Sequence, residues 1–191
     1  MSTVFFDLET GGLLATSPDI QLAAVAVDDQ WNELGTFEKK IQFDESQADP
    51  EALKLNHYDP EVWKRDGVAE IIAVASFSRF LESYKSIELI SKRTGRPYSV
   101  ARLAGHNAAA FDGPRIQAMF SRHGQFLGAH PQVMCSLQRA LWYARETGTN
   151  FKSLKLSELC KHFGIELQDA HDALADVRGS IAIAKAMGVR A

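Results

Sequence analysis

The sequence predicts an α/β fold: a mixed five-stranded sheet, three antiparallel strands plus two parallel, flanked by helices. Three observations carry this expectation. Three strand-like runs open the chain with short connections, the pattern of an antiparallel meander. Two later strand-like runs are each followed by helical periodicity, the unit that lays strands parallel. The 191 residues are 46% hydrophobic, enough for one sizeable core, and no linker, repeat or low-complexity tract divides them. One domain over residues 1–191 is expected.

The elements follow in order. Residues 3–8 form a first strand, Ile20 to Val27 a second and largely buried one, and Leu34 to Phe43 a third with alternating polar residues. Asp49-Pro50-Glu51 and Asp59-Pro60-Glu61 each open a short helix, because proline suits the first helical position. Val68 to Tyr84 is a longer helix with apolar residues at helical spacing. Ser91-Lys92-Arg93-Thr94-Gly95-Arg96-Pro97 is a basic loop. Ala101 to His106 is the fourth strand, a helix runs from Gly113-Pro114 to about His123, and Gln132 to Cys135 is the fifth strand. Helices are expected near 137–146, 153–163 and 172–187.

Charged residues make up 24% of the chain and the net charge is -3. A protein that grips nucleic acid by charge alone would be basic, so any such contact must be local or metal-assisted. Cys135 and Cys160 form no CxxC pair and sit in apolar-patterned flanks, which points to buried free thiols in a reducing compartment. The N-terminus enters an acid-bearing strand rather than a signal peptide, and no apolar run reaches the length of a membrane span. A cytoplasmic protein without membrane contact is expected.

The chemistry concentrates on acids. Asp7 and Glu9 are two apart on the first strand, so both carboxylates leave one face. Like charges this close repel, and a divalent cation is the most direct compensation. Asp112 stands between the fourth strand and its helix, where it suits an N-cap. Asp172 and Asp176 share one face of the last helix, and Asp172 suits its cap. Each feature alone fits an ordinary solvated end. Four acids from three separated segments at one edge of a sheet are a stronger signal, because open sheets place ligands beyond the carboxyl ends of their parallel strands.

These segments together resemble the DnaQ-like (DEDDh) 3'–5' exonucleases of the ribonuclease H-like superfamily. The resemblance rests on Phe6-Asp7-Leu8-Glu9-Thr10-Gly11-Gly12-Leu13, on Gly105-His106-Asn107 with Phe111-Asp112, and on His171-Asp172-Ala173-Leu174-Ala175-Asp176. It implies a ribonuclease H-like sheet with Asp7, Glu9, Asp112 and Asp176 as metal ligands and His171 as general base. It further implies contacts from Thr10 and Leu13 to the terminal nucleotide, with His106 and Asn107 flanking the second motif. Asp172 is not required by the pattern. Two departures stand out: Thr10-Gly11-Gly12 where many members carry two threonines before glycine, and the long basic stretch before the second motif.

The implied cofactors are two Mg²⁺ or Mn²⁺ ions, hard cations that prefer carboxylate oxygen. Two such ions about 3.5–4 Å apart serve phosphodiester hydrolysis, with Asp7 bridging and His171 taking a proton from the attacking water. The expected substrate is a single-stranded DNA 3' end, cut to nucleoside monophosphates in proofreading or repair. The alternatives are an exoribonuclease on RNA ends and a non-catalytic binding module. Trp63 and Tyr58 are candidate base stackers, and Lys39, Lys92, Arg93, Arg96, Arg139, Lys152 and Lys155 candidate backbone contacts. A homodimer, or a polymerase or repair partner, is compatible with the chain.

Overall fold

The computed structural model describes residues 1–167 and 172–189. Strands β1 (Ser2–Thr10), β2 (Asp19–Asp28) and β3 (Glu33–Lys40) form the expected meander. A 3-10 turn at Glu45–Gln47 and helices α1 (Pro50–Leu55), α2 (Pro60–Asp66) and α3 (Glu70–Ser83) follow. Strands β4 (Lys85–Ile90) and β5 (Pro97–Gly105) come next, then α4 (Asp112–Arg122), β6 (Met134–Cys135), α5 (Ser136–Thr147), α6 (Leu156–His162) and α7 (Ala173–Ala186).

The sheet is mixed, as expected, but has six strands rather than five. Its order is β3-β2-β1-β5-β4, with β6 pairing the far end of β5. β1 is antiparallel to β2 and parallel to β5, and β5 is parallel to β6. The additional strand is β4, antiparallel to the first half of β5. It follows α3 without a glycine or proline break, and it is a half-exposed edge strand. Its partner, 97–101, is part of the stretch that the composition marks as basic loop. The outer half of this ladder, Ile90 to Glu88 against Pro97 to Ser99, is largely exposed, so its pairing leaves little apolar pattern in the sequence.

β2 is buried along nearly its whole length because helices cover both faces of the sheet. On one face, Val4, Phe6 and Leu8 of β1 pack with Phe77 and Leu81 of α3 and with Ile116, Met119 and Phe120 of α4. On the other, Phe5 packs with Ala23, Val25 and Ala104 against Ala173, Val177 and Ala184 of α7. Alanines at this second interface let α7 lie close to the sheet. The odd-numbered side chains of β1 therefore face α7, and Asp7 and Glu9 continue that row. A third cluster joins α5, α6 and α7 through Ala140, Leu159, Cys160 and Ile183. Among the described residues, no helix is long and apolar enough to cross a membrane.

Candidate active site

Asp7 and Glu9 lie at the carboxyl end of β1, where the strand outruns β5. The β1–β5 ladder stops at Phe5 with Ala104, and β5 ends at Gly105. Beyond it the Leu8 N–H has no strand to bond, and Asp112 takes that place: its Oδ1 accepts from Leu8 N at 3.2 Å. Asp112 is therefore not the helix cap that its position suggests. Phe111 holds the N-cap position of α4 without a side-chain bond, and the Asp112 carboxylate turns instead to β1, buried. Gly105 allows this close approach, since a Cβ there would lie 2.6 Å from the Phe6 carbonyl oxygen.

From the opposite face α7 supplies Asp176. Carboxylate oxygens of Asp7, Glu9 and Asp176 all lie within 4.8 Å of one another. Asp172 does cap α7, accepting from the Leu174 and Ala175 N–H groups at 3.1 Å each. His171, the expected general base, lies outside the described residues.

The electrostatics of this cluster are those of crowded acids. Burial first, then the carboxylates of Asp112, Glu9, Asp176 and Asp172, holds Asp7 well above the usual carboxylate range. Each of these four neighbouring charges is another acid. Glu9 is pushed up to about 7, by burial and then by Asp176, Asp112 and Asp172. Burial also raises Asp112 to about 7, against the opposing pull of the Leu8 N–H. A divalent cation fits this donor set: all donors are hard oxygens, they come from separate elements, and the crowded acids raise one another.

The turn after β1 is anchored on several sides. The Asn56 side chain donates to the Thr10 carbonyl at 2.9 Å, and Asp49 N–H donates to the Gly11 carbonyl at 2.7 Å. Residues 49 and 56 thus brace the turn that follows β1. The packing of this turn also accounts for one departure from the family pattern. A Cβ at Gly11 would lie 2.8 Å from Ala48 Cβ and 2.9 Å from Pro18 Cγ, so a second threonine has no room. The Thr10 hydroxyl donates to the Gly12 carbonyl at 2.9 Å, and Leu13 projects beyond it, 89% exposed.

A buried arginine ties this turn to the second motif. Arg115, one helical turn after Asp112, bonds Asp19 Oδ1 through Nε at 2.7 Å. Its other nitrogens donate to the carbonyls of Leu14 at 3.0 Å and Ser17 at 2.6 Å. Asp19 also meets Arg122, which pairs with Glu70. Arg115 and Asp19 are 96 positions apart, and no local motif links them. A charged residue inside the apolar stripe of α4 and an acid at the mouth of the buried β2 were the available signals.

His106 and Asn107 line one depression of about 830 Å³ together with Leu13, Lys155 and Asp176. The His106 ring is engaged within the protein, with Nε2 2.9 Å from the Leu154 carbonyl and Nδ1 3.0 Å from Ser136 Oγ. A carbonyl only accepts, so Nε2 carries the proton and Nδ1 accepts from the hydroxyl. Burial lowers the His106 pKa and favours this neutral form. Asn107 adopts a left-handed conformation at φ 57°, which Asn tolerates better than most residues.

Two candidate contacts are corrected. Trp63 is buried, with Nε1 donating to the Ile20 carbonyl at 3.0 Å, so its ring belongs to the core. Tyr58 packs edge-on against Trp63 and Phe43, and its hydroxyl donates to Glu45 at 2.6 Å. Arg139 is held by Glu146 at 2.8 Å and by the Met187 carbonyl. Lys155 reaches the cleft, whereas Lys152 lines a separate recess. Cys160 is buried, and burial and then Asp176 push its thiol up to about 11. Cys135 is half-buried, and both cysteines are free.

A mixed sheet with helices on both faces thus gathers carboxylates at the end of its central strand, the arrangement expected of a ribonuclease H-like fold. Residues 98–184, just under half of the chain, match the family model RNase T, described as exonuclease. Among solved structures, the chain is similar to E. coli Exonuclease I in complex with a dT13 oligonucleotide. That match has 24% identity and a TM-score of 0.77, covering 99% of this chain and 41% of the other. The complex of the same enzyme with a dA16 oligonucleotide gives 23% identity and a TM-score of 0.77, with the same coverage. Its product-bound structure gives 23% and 0.74, covering 96% of this chain and 42% of the other. This chain thus spans about two fifths of the length of those structures. No match is found among curated protein sequences.

Proposed function

We propose that this chain is a metal-dependent exonuclease that removes nucleoside monophosphates from the 3' end of single-stranded DNA by two-metal hydrolysis. The observation that carries this reading is the convergence of half-buried Asp7 and Asp176 with buried Glu9 within 4.8 Å, with Asp112 raising the Asp7 pKa from the side of α4. Asp7, Glu9, Asp112 and Asp176 would hold the two Mg²⁺ or Mn²⁺ ions. Bound there, the ions would supply charge neutralisation at the phosphate, activation of water and stabilisation of the leaving oxygen.

The protein's own groups do the rest. His171 accepts the proton of the attacking water on an imidazole nitrogen, a task suited to its ordinary pKa. The turn at 10–14, clamped by Arg115 and backed by 45–56, closes one side of the cleft and favours a chain end over an interior linkage. Leu13 offers an apolar surface to the terminal base, and Lys155 a charge to the incoming backbone. His106, neutral and bonded at both nitrogens, holds β5 to α5 and the 154 loop beside the substrate. DNA is favoured over RNA because the similar structures are of an enzyme crystallised with dT13 and dA16.

The test is hydrolysis of 5'-labelled DNA and RNA oligonucleotides, with free and blocked 3' ends, in Mg²⁺ or Mn²⁺. A ladder of shortened products on DNA that needs a free 3' end is expected. A ladder on RNA alone would move the assignment to an exoribonuclease. No ladder on either would overturn the enzymatic reading.

A further inference from the structure

We propose that the β4–β5 hairpin and the groove leading from it to α4 form a second binding surface for single-stranded nucleic acid, holding the strand well upstream of the reacting 3' end. The proposal rests on the exonuclease reading above and assigns a role to the basic stretch that this reading leaves unused.

The basic stretch is the tip of a hairpin, closed by Ser91 N–H to the Arg96 carbonyl at 2.9 Å and Gly95 N–H to the Ser91 carbonyl at 2.8 Å. Lys92, Arg93 and Arg96 are all exposed, and none forms an ion pair among the described residues. In a chain of net charge -3 such a cluster is a local exception. Directly beside it lie exposed apolar side chains: Ile90, Tyr98 at 38% exposure and Phe126 at 67%. Tyr98 and Phe126 meet edge-on, 6.2 Å between ring centroids. Unpaired cations interleaved with accessible aromatic rings are what single strands use, phosphate against charge and base against ring.

The groove is continuous. A depression of about 800 Å³ is lined by the hairpin cations and by Tyr98, Phe126 and His130. Those last three residues also line a second depression of about 760 Å³, which extends to Gly113 and Pro114 in the first turn of α4. β5 is nine residues long, so the hairpin tip lies roughly 30 Å from its catalytic end. The hairpin is therefore too distant to touch the terminal nucleotide, but lies where the body of a longer strand would run. An acidic peptide would satisfy the cations, yet it has no use for the exposed rings of Tyr98 and Phe126 beside them.

The test compares kcat/KM for oligothymidylates of about four and about twenty residues, with binding followed by fluorescence anisotropy in EDTA. Charge reversal at Lys92, Arg93 and Arg96 to Glu should lower the long-to-short ratio about tenfold or more. It should also flatten the salt dependence of long-strand binding by about 2 log units per log unit of salt, from three contacts at about 0.7 each. Phe126→Ala should lower the same ratio without altering the salt slope. Equal losses on both lengths, or none on either, would overturn the proposal. So would an acidic peptide that loses binding in the charge-reversed variant while the long strand does not. If the wild-type chain cleaves neither length, the exonuclease reading fails, and anisotropy in EDTA still decides whether the hairpin holds the strand.

Discussion

Replacing Glu9 by Gln should stabilise the metal-free protein while removing a metal ligand. Glu9 is raised from an ordinary value near 4.5 to about 7, by burial and then by Asp176, Asp112 and Asp172. A carboxyl whose folded-state pKa is raised contributes stability that is fully present below its unfolded pKa and is lost as pH rises through the folded pKa. For Glu9 that window runs from about 4.5 to about 7. The shift corresponds to a loss on the order of 3 kcal/mol at pH 8, at 1.36 kcal/mol for each unit. Glutamine keeps the shape and carries no charge, so it avoids this loss and also relieves the repulsion on Asp7. In EDTA the variant should therefore melt roughly 5–10 °C above wild type at pH 8 and close to it at pH 4.5. Adding Mg²⁺ or Mn²⁺ should raise the wild-type melting temperature at pH 8 and move the variant much less. Thermal unfolding by circular dichroism at the two pH values reads all of this. A difference between the proteins that does not change with pH, or a variant less stable at pH 8, would refute the reasoning.

Other perturbations separate the parts of the site. Asp7→Ala should abolish metal-dependent hydrolysis with an unchanged circular dichroism spectrum, since the change removes a repelled acid. His171→Ala should lower kcat about 10²–10⁴-fold with little effect on Mn²⁺ affinity by calorimetry, and full turnover at neutral pH would rule out the base assignment. Arg115→Met leaves Asp19 half-paired and two carbonyls bare, and should cost about 3–5 kcal/mol in urea denaturation. Arg115→Lys should cost less and should still raise KM, because one ammonium cannot replace the three contacts that hold the 14–18 turn. Gly105→Ala puts a Cβ 2.6 Å from the Phe6 carbonyl, and should destabilise by about 1–3 kcal/mol while weakening metal binding.

Much of the architecture is legible from local pattern. The apolar run of β2, the proline-led starts of α1 and α2 and the periodicity of α3 each report their own local conformation. β4 is not legible, because its ladder partner at 97–101 looks like loop until the two segments meet. The cap suggested by Asp112 has the same cause: position favours a cap, and only the end of β5 leaves the Leu8 N–H open for its carboxylate. The clamp of Arg115 on Asp19 joins residues with no shared local motif.

The sequence alone determined which groups the proposed chemistry would use. A period of two puts Asp7 and Glu9 on one face, and the order of the three motifs names Asp112, His171 and Asp176 as their companions. The tertiary structure decided which face that is. The odd side chains of β1 turn toward α7 because small alanines let that helix pack close, and this brings Asp176 to Asp7 and Glu9. It also decided the electrostatics, since burial and crowding, which no local pattern encodes, raise three of these acids. Side-chain identity and spacing are local properties of the chain. Convergence and desolvation arise only where distant segments pack together.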